Sequence, residues 1–141
     1  MTNAINTALS GALAAQTRLA GSAGNVANIR SIGSLPAPDG SIPENGIRAY
    51  EPVRTVVQPV AGPDGQGQGV RAVFRPANPA VTAEFAPDSP FANADGLVAA
   101  PNVDLVGERV EQISAAAAYR AALAVIRTQE ELERETLNLT A

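Results

Sequence analysis

The two ends of this chain carry helical apolar periodicity and its middle does not, and that division constrains the fold more than any single residue. From Ala4 to about Ala27, apolar and small residues recur at helical spacing through Ile5, Leu9, Ala12, Leu13, Leu19, Ala23 and Val26. From Val103 to about Leu139 a second stripe runs through Val103, Val106, Val110, Ile113, Ala117, Ala121, Ala124, Thr128, Leu132, Thr136 and Leu139. Steps of three and four place these residues on one side of a helix. Apolar faces at opposite termini must either be brought together or be buried in neighbouring copies, and the second option describes an assembly subunit.

The N-terminal segment has an unusual surface. Over residues 1–28 the only charged side chain is Arg18, and the face opposite the leucines carries Ala, Ser, Thr, Gln and Gly. A lone solvated helix normally shows a charged outer face. Two readings fit: a helix covered by protein on most sides, or an alanine-rich helix tucked onto its own domain. The C-terminal segment is more conventional towards its end, where Arg127 with Glu131 and Glu130 with Arg134 are spaced as i,i+4 pairs. Asn102 or Asp104 offers an N-cap. Between them, residues 114–124 form a smooth alanine collar broken mainly by Tyr119 and Arg120.

The middle reads as turns and short strands. Residues 36–46 are dense in turn formers and are expected to be a loop. The β-forming runs Val53 to Val57 and Val70 to Phe74, joined by a glycine-rich connection, predict a hairpin. Prolines at 76, 79, 87, 90 and 101 predict an extended strap from Arg75 to Pro101. The expected class is α+β: long terminal helices pairing as a coiled-coil-like hairpin, with a small β-rich centre. The expected divisions are 1–30, 31–101 and 102–141.

Composition removes most chemistry. With no Cys and no His, the chain lacks thiolate ligands, cysteine nucleophiles and the usual general base. No catalytic, cofactor-binding or metal residues are assigned, and no enzymatic activity is expected. Asp88, Asn93, Asp95 and Gly96 faintly suggest an oxygen-ligand cation loop, but their spacing is wrong for an EF-hand and Asn93 to Gly96 reads more simply as a turn. Gly65 to Gly69 opens no helix and has no following Lys-Ser or Lys-Thr, so it reads as a linker. The ten basic residues are all Arg and scattered, against a net charge of -4, which is no nucleic-acid footprint. The first seventeen residues are too polar for a spanning helix and lack the pattern of a secretory signal, so neither membrane insertion nor a cleaved leader is expected.

Two motifs carry a resemblance. Asp88 to Glu108, with Pro101-Asn102-Val103-Asp104 leading into the C-terminal helix, is similar to the signature of flagellar basal-body rod proteins, most closely the proximal rod type. Residues 8–20, followed by Asn25-Val26-Ala27-Asn28, resemble the N-terminal helix of that family and its closing Asn-x-x-Asn. Tyr119 also matches. Leu97, Gly24, Ala118 and Ala122 depart from the family pattern, as does the segment after Asn28. The resemblance implies terminal helices forming the inner layer of a helical tube that transmits torque, a β-rich piece outside, and no cofactor. It implies copies of the same chain and other rod proteins as partners, with the export gate or an MS-ring adaptor at the rod base. It also implies delivery to a periplasmic rod by the flagellar type III export apparatus. The residues assigned to assembly are Ile5, Leu9, Leu13, Leu19, Asn25, Asn28, Pro101, Asn102, Val103, Asp104, Val110, Ile113, Ala117, Tyr119, Ala121, Ala124 and Leu132. The alternative of a different class is a soluble helical-hairpin binding module that folds alone, or a divergent paralogue with other partners.

Overall fold

The computed structural model describes residues 2–139, with the side chains of Thr2 and Asn3 left aside. The elements run α1 (Thr2–Ala27), β1 (Val53–Ala61), β2 (Gly67–Pro76), β3 (Val81–Phe85), β4 (Leu97–Pro101) and α2 (Leu105–Leu139). The α+β class and the two terminal helices agree with the sequence reading. The chain packs as two compact units, one of residues 1–20, 55–74 and 110–141, the other of residues 21–54 and 75–109.

In the first unit α1 and α2 run antiparallel, since Arg18 meets Glu111 while Gly11 comes close to Ala122. The buried apolar residues of this unit are all small: Ala12, Ala14, Ala15 and Ala115. Strands β1 and β2 pair around a five-residue turn at 62–66, closed by Gly62 N–H donating to Gln66 O at 2.8 Å. The hairpin is longer than the two apolar runs suggest. It rests on α1 through Val70 N–H, which donates to Ser10 Oγ at 3.1 Å.

In the second unit the proline-rich stretch is more ordered than an extended strap. β3 and β4 pair antiparallel, Val81 opposite Pro101 and Phe85 opposite Leu97. The prolines fall at 76, 79, 87, 90 and 101, so the interior of β3 is free of them. Proline placement thus marks the ends of the strands and not the absence of pairing. The turn expected at Asn93 to Gly96 is present: Asn93 Oδ1 accepts from Asp95 N–H and Leu97 N–H, and Gly96 takes φ +74°. Residues 36–46 form turns, among them Ala37 N–H to Ser41 O at 2.9 Å and Gly46 N–H to Pro43 O at 2.8 Å.

On its other edge β4 bridges to Gly33, whose N–H and C=O both pair with Ala99 at 2.9 Å. A Cβ at Gly33 would collide with the backbone of Ile47, Arg48 and Ala49, so only glycine fits that crossing. Val98, Ala99, Ala100 and Ala49 form the buried apolar centre of this unit. Asp104 caps α2: its Oδ1 accepts from Val106 N–H at 3.0 Å, which settles the choice between Asn102 and Asp104.

Among the described residues no helix is long and apolar enough to cross a membrane, and no group of three or more acidic, His or Cys side chains could hold a metal ion.

Candidate assembly surface

The two faces of each helix are used in the opposite sense from simple hydrophobic sorting. On α1 the side turned to α2 carries Ala8, Gly11, Ala15, Arg18, Ser22 and Asn25, spaced alternately three and four residues apart and all buried or half-buried. The large residues point away: Leu9 is 47% exposed, Leu13 54% and Leu19 41%. On α2 the inward side carries Glu108, Glu111, Gln112, Ala115, Ala122, Ile126 and Gln129. Val110 and Ile113 are each 62% exposed, Leu132 is 52% exposed, and Ala117, Ala121 and Ala124 are exposed with them. Apart from the buried Ala12 and the half-buried Val26, most members of the stripes that mark the sequence as helical therefore lie on open faces in the single chain. Ile5 and Val103 are half-buried, and Tyr119 lies at the edge, 40% exposed.

Small inward residues allow the helices to approach closely. One specific contact interrupts this smooth seam. Arg18 Nε and Nη2 donate to the two oxygens of Glu111 at 2.7 and 2.8 Å, and Nη2 also reaches Ser114 Oγ at 3.2 Å. The fork-to-carboxylate geometry fixes direction as well as distance. The Glu111 hydrogen bond holds the Arg18 guanidinium above its ordinary pKa, against the opposing effect of its partial burial. The signal for this contact was already in the sequence, as the one charge within 28 residues. Beside it, Ala4, Thr7, Ala8, Gly11, Gly67, Ala121, Ala122 and Val125 line an open apolar groove of about 620 Å³.

The second unit is organised around a buried amide. Asn25 is 2% exposed and, with Val98, is one of the two largest fully buried side chains. Its Nδ2 donates to Val53 O at 2.8 Å and to Glu108 Oε1 at 2.6 Å, while its Oδ1 accepts from Tyr50 Oη at 3.0 Å and Val53 N–H at 2.9 Å. All four hydrogen-bonding positions of the amide are filled. Ser22 Oγ adds a bond to Glu108 O at 3.0 Å. Burial pushes the Tyr50 phenol above its usual pKa, and the nearby Glu108 carboxylate acts in the same direction.

The remaining assigned residues also have partners within the chain. Asn28 closes α1, its Nδ2 donating to Gly24 O at 2.9 Å and its Oδ1 accepting from Ser31 Oγ at 3.2 Å. Pro101 is buried at the end of β4, and Asn102 Nδ2 donates to Pro79 O at 2.9 Å. The assigned set thus divides into two kinds. Asn25, Asn28, Pro101, Asn102 and Asp104 build the chain's own framework, whereas the other members, apart from the half-buried Ile5 and Val103, lie on open faces. Sequence reasoning missed Arg18, Glu111, Glu108, Tyr50 and Gly33, which hold the framework together. The expected i,i+4 pairs of Arg127 with Glu131 and Glu130 with Arg134 do not close to ion-pair distance among the described residues.

Comparison with known proteins agrees with the motifs. Residues 94–139 match the model of the family described as flagellar basal body rod FlgEFG protein C-terminal. The chain is 38% identical over 130 residues to the flagellar basal-body rod protein FlgC of Yersinia enterocolitica, covering 91% of this chain and 90% of that protein. The FlgC proteins of Salmonella typhimurium and Escherichia coli O6:H1 are 37% and 35% identical, with the same coverage.

Proposed function

The chain belongs to the FlgC family of flagellar basal-body rod proteins, and from that premise we propose that it is a proximal rod subunit that assembles helically and transmits torque. A structural role in the rod follows from the family. Its place in a periplasmic rod, its export without a cleavable leader, and contact with the export gate or an MS-ring adaptor at the base belong to the same proposal. So does a mechanical and non-catalytic role, with residues 1–30 and 102–141 as the inner helical layer and 31–101 outside it.

The observation that carries the reading is the outward apolar stripe. Val110, Ile113 and Leu132 on α2, and Leu9, Leu13 and Leu19 on α1, are all at least 41% exposed in the single chain. Burying one such side chain fully contributes about 1.5–3 kcal/mol. A face of several is a large standing drive for association. The partners are other copies and other rod components, whose helices would cover these faces. Membership of a structural family disfavours the free-standing binding module.

The test is complementation of a strain deleted for its own rod gene. Ile113→Arg and Val110→Arg alter side chains that touch little of their own chain, so helicity by circular dichroism is expected to match the parent. Swimming in soft agar is expected to be lost. Full swimming by both variants would refute the assignment of this stripe to assembly.

A further inference from the structure

In the first unit both helices bury their small and polar sides and expose their large apolar sides, although the reverse would remove more apolar surface from water. Leu9 and Leu13 lie on the far side of α1 from Gly11, Ala15 and Arg18, at 100° per residue. Val110, Ile113 and Ala117 lie likewise on the far side of α2 from Glu111 and Ala115. The inward seam of alanine and glycine has little shape to choose one rotation of α1 over another. α1 turned about its axis would set Leu13 against the inward side of α2, level with Ala118, and hide its own stripe within the chain. Directional polar contacts therefore select the observed orientation: Ser10 with Val70 and Arg18 with Glu111 in this unit, and Ser22 and Asn25 with Glu108 farther along α1.

We infer that the bidentate Arg18–Glu111 contact, joined by Ser114, is a latch that keeps the small-residue sides of α1 and α2 facing each other and so holds the apolar stripes outward. Arg18 is the only charge on α1 and sits in the middle of the inward side. With α1 turned, its guanidinium would leave Glu111, and Glu111 would remain half-buried against leucine. The pair thus penalises the turned arrangement more than it stabilises the observed one, which is the use to which part-buried ion pairs are best suited. The latch is a property of the single chain. Its consequence, that a chain with a broken latch hides its own association face, rests on the rod-subunit reading.

The absence of native cysteine makes disulfide trapping a clean test. The Cβ position of Gly11 lies 4.0 Å from Ala122 Cβ, within the range a disulfide spans, so Gly11→Cys with Ala122→Cys reports the observed orientation. Leu13→Cys with Ala118→Cys reports the turned one. Each pair is oxidised in dilute full-length protein, and the intramolecular product is read by gel mobility and peptide mass. With Arg18 and Glu111 intact, the 11/122 bond is expected to form and the 13/118 bond not to form.

Glu111→Arg sets two guanidinium groups against each other and is expected to slow the 11/122 bond at least about tenfold and to allow the 13/118 bond. Adding Arg18→Glu reverses the pair and is expected to restore the original pattern. The inference is overturned if Glu111→Arg leaves the 11/122 rate unchanged, if the reversed pair does not restore it, or if neither bond forms and helicity is lost. The last outcome would mean that the contact stabilises the helices without orienting them. None of these outcomes depends on whether the chain supports swimming, so failure of the latch leaves the rod reading standing.

Discussion

Removal of the Asn25 amide should cost more than any other single change in the second unit, and the cost can be built up from its four bonds. In Asn25→Ala, Tyr50 Oη, Glu108 Oε1 and both backbone groups of Val53 lose a partner at once. A typical intramolecular hydrogen bond contributes about 1 kcal/mol net, and orphaned buried groups cost about 1–3 kcal/mol each, which gives about 4 kcal/mol for the set. Asn25→Asp is the sharper test because it keeps the shape. Its two acceptor bonds survive, but the nitrogen that donated to Glu108 at 2.6 Å becomes a carboxylate oxygen. Two charges at that separation repel by about 6 kcal/mol at an effective dielectric of 20, before relaxation. The Asp variant should therefore be no more stable than the Ala variant at pH 7. Its new carboxyl is forced above its unfolded pKa, so protons bind the folded form preferentially and stability returns as pH falls through the folded value. Urea unfolding followed by circular dichroism, at pH 7 and at mildly acid pH, measures both effects. An Ala variant within 1 kcal/mol of the parent on the scale of one such bond, or an Asp variant that weakens further in acid, would refute the assignment of Asn25 as the hub.

Other changes test separate parts of the framework. Gly33→Ala should destabilise by about 2–4 kcal/mol, in the range of a forced backbone shift, because the new methyl meets backbone and not a movable side chain. The same unfolding assay decides it, and a neutral result would show that the crossing at Ala99 has slack. Asp104→Ala should cost about 1 kcal/mol through loss of the α2 cap, with Asp104→Ser recovering most of it. In an ultraviolet titration Tyr50 should ionise above 10.0, as burial disfavours its phenolate, and Tyr50→Phe should remove that step. The raised value means that the contribution of the neutral phenol is complete below pH 10.0 and is lost as pH rises through the folded pKa; a titration at or below 10.0 would contradict its burial.

The parts of the fold that could be read from the sequence are those where periodicity or turn chemistry is local. The helices announce themselves by apolar steps of three and four, the first hairpin by two β-branched runs about a glycine-rich turn, and the Asn93 turn by its own side chain. The second hairpin was hidden because β4 is short and rich in alanine, Leu97-Val-Ala-Ala-Pro101, and its prolines suggested extension without pairing. The framework contacts were hidden for a different reason. Asn25 and Glu108 lie 83 positions apart, and Arg18 and Glu111 lie 93 apart, so no window along the chain shows either pair.

Hydrophobic periodicity revealed that the termini are helical, but not which side of each helix turns inward. For an ordinary domain the two questions have one answer, since the apolar stripe is the buried side. Here they have different answers. The two helices bury mainly alanine, glycine and a few polar side chains, and leave Leu9, Leu13, Leu19, Val110, Ile113 and Leu132 open. A chain that satisfied its stripes internally would have little reason to associate. One that leaves them open must hold itself together by other means, and the means on view are directional: a two-pronged ion pair, a fully bonded amide, and a backbone bridge that only glycine allows. Directional contacts fix geometry with little apolar surface. That leaves apolar surface on α1 and α2 open for the partners that the proposed assembly would supply, while polar residues hold the subunit's own framework together.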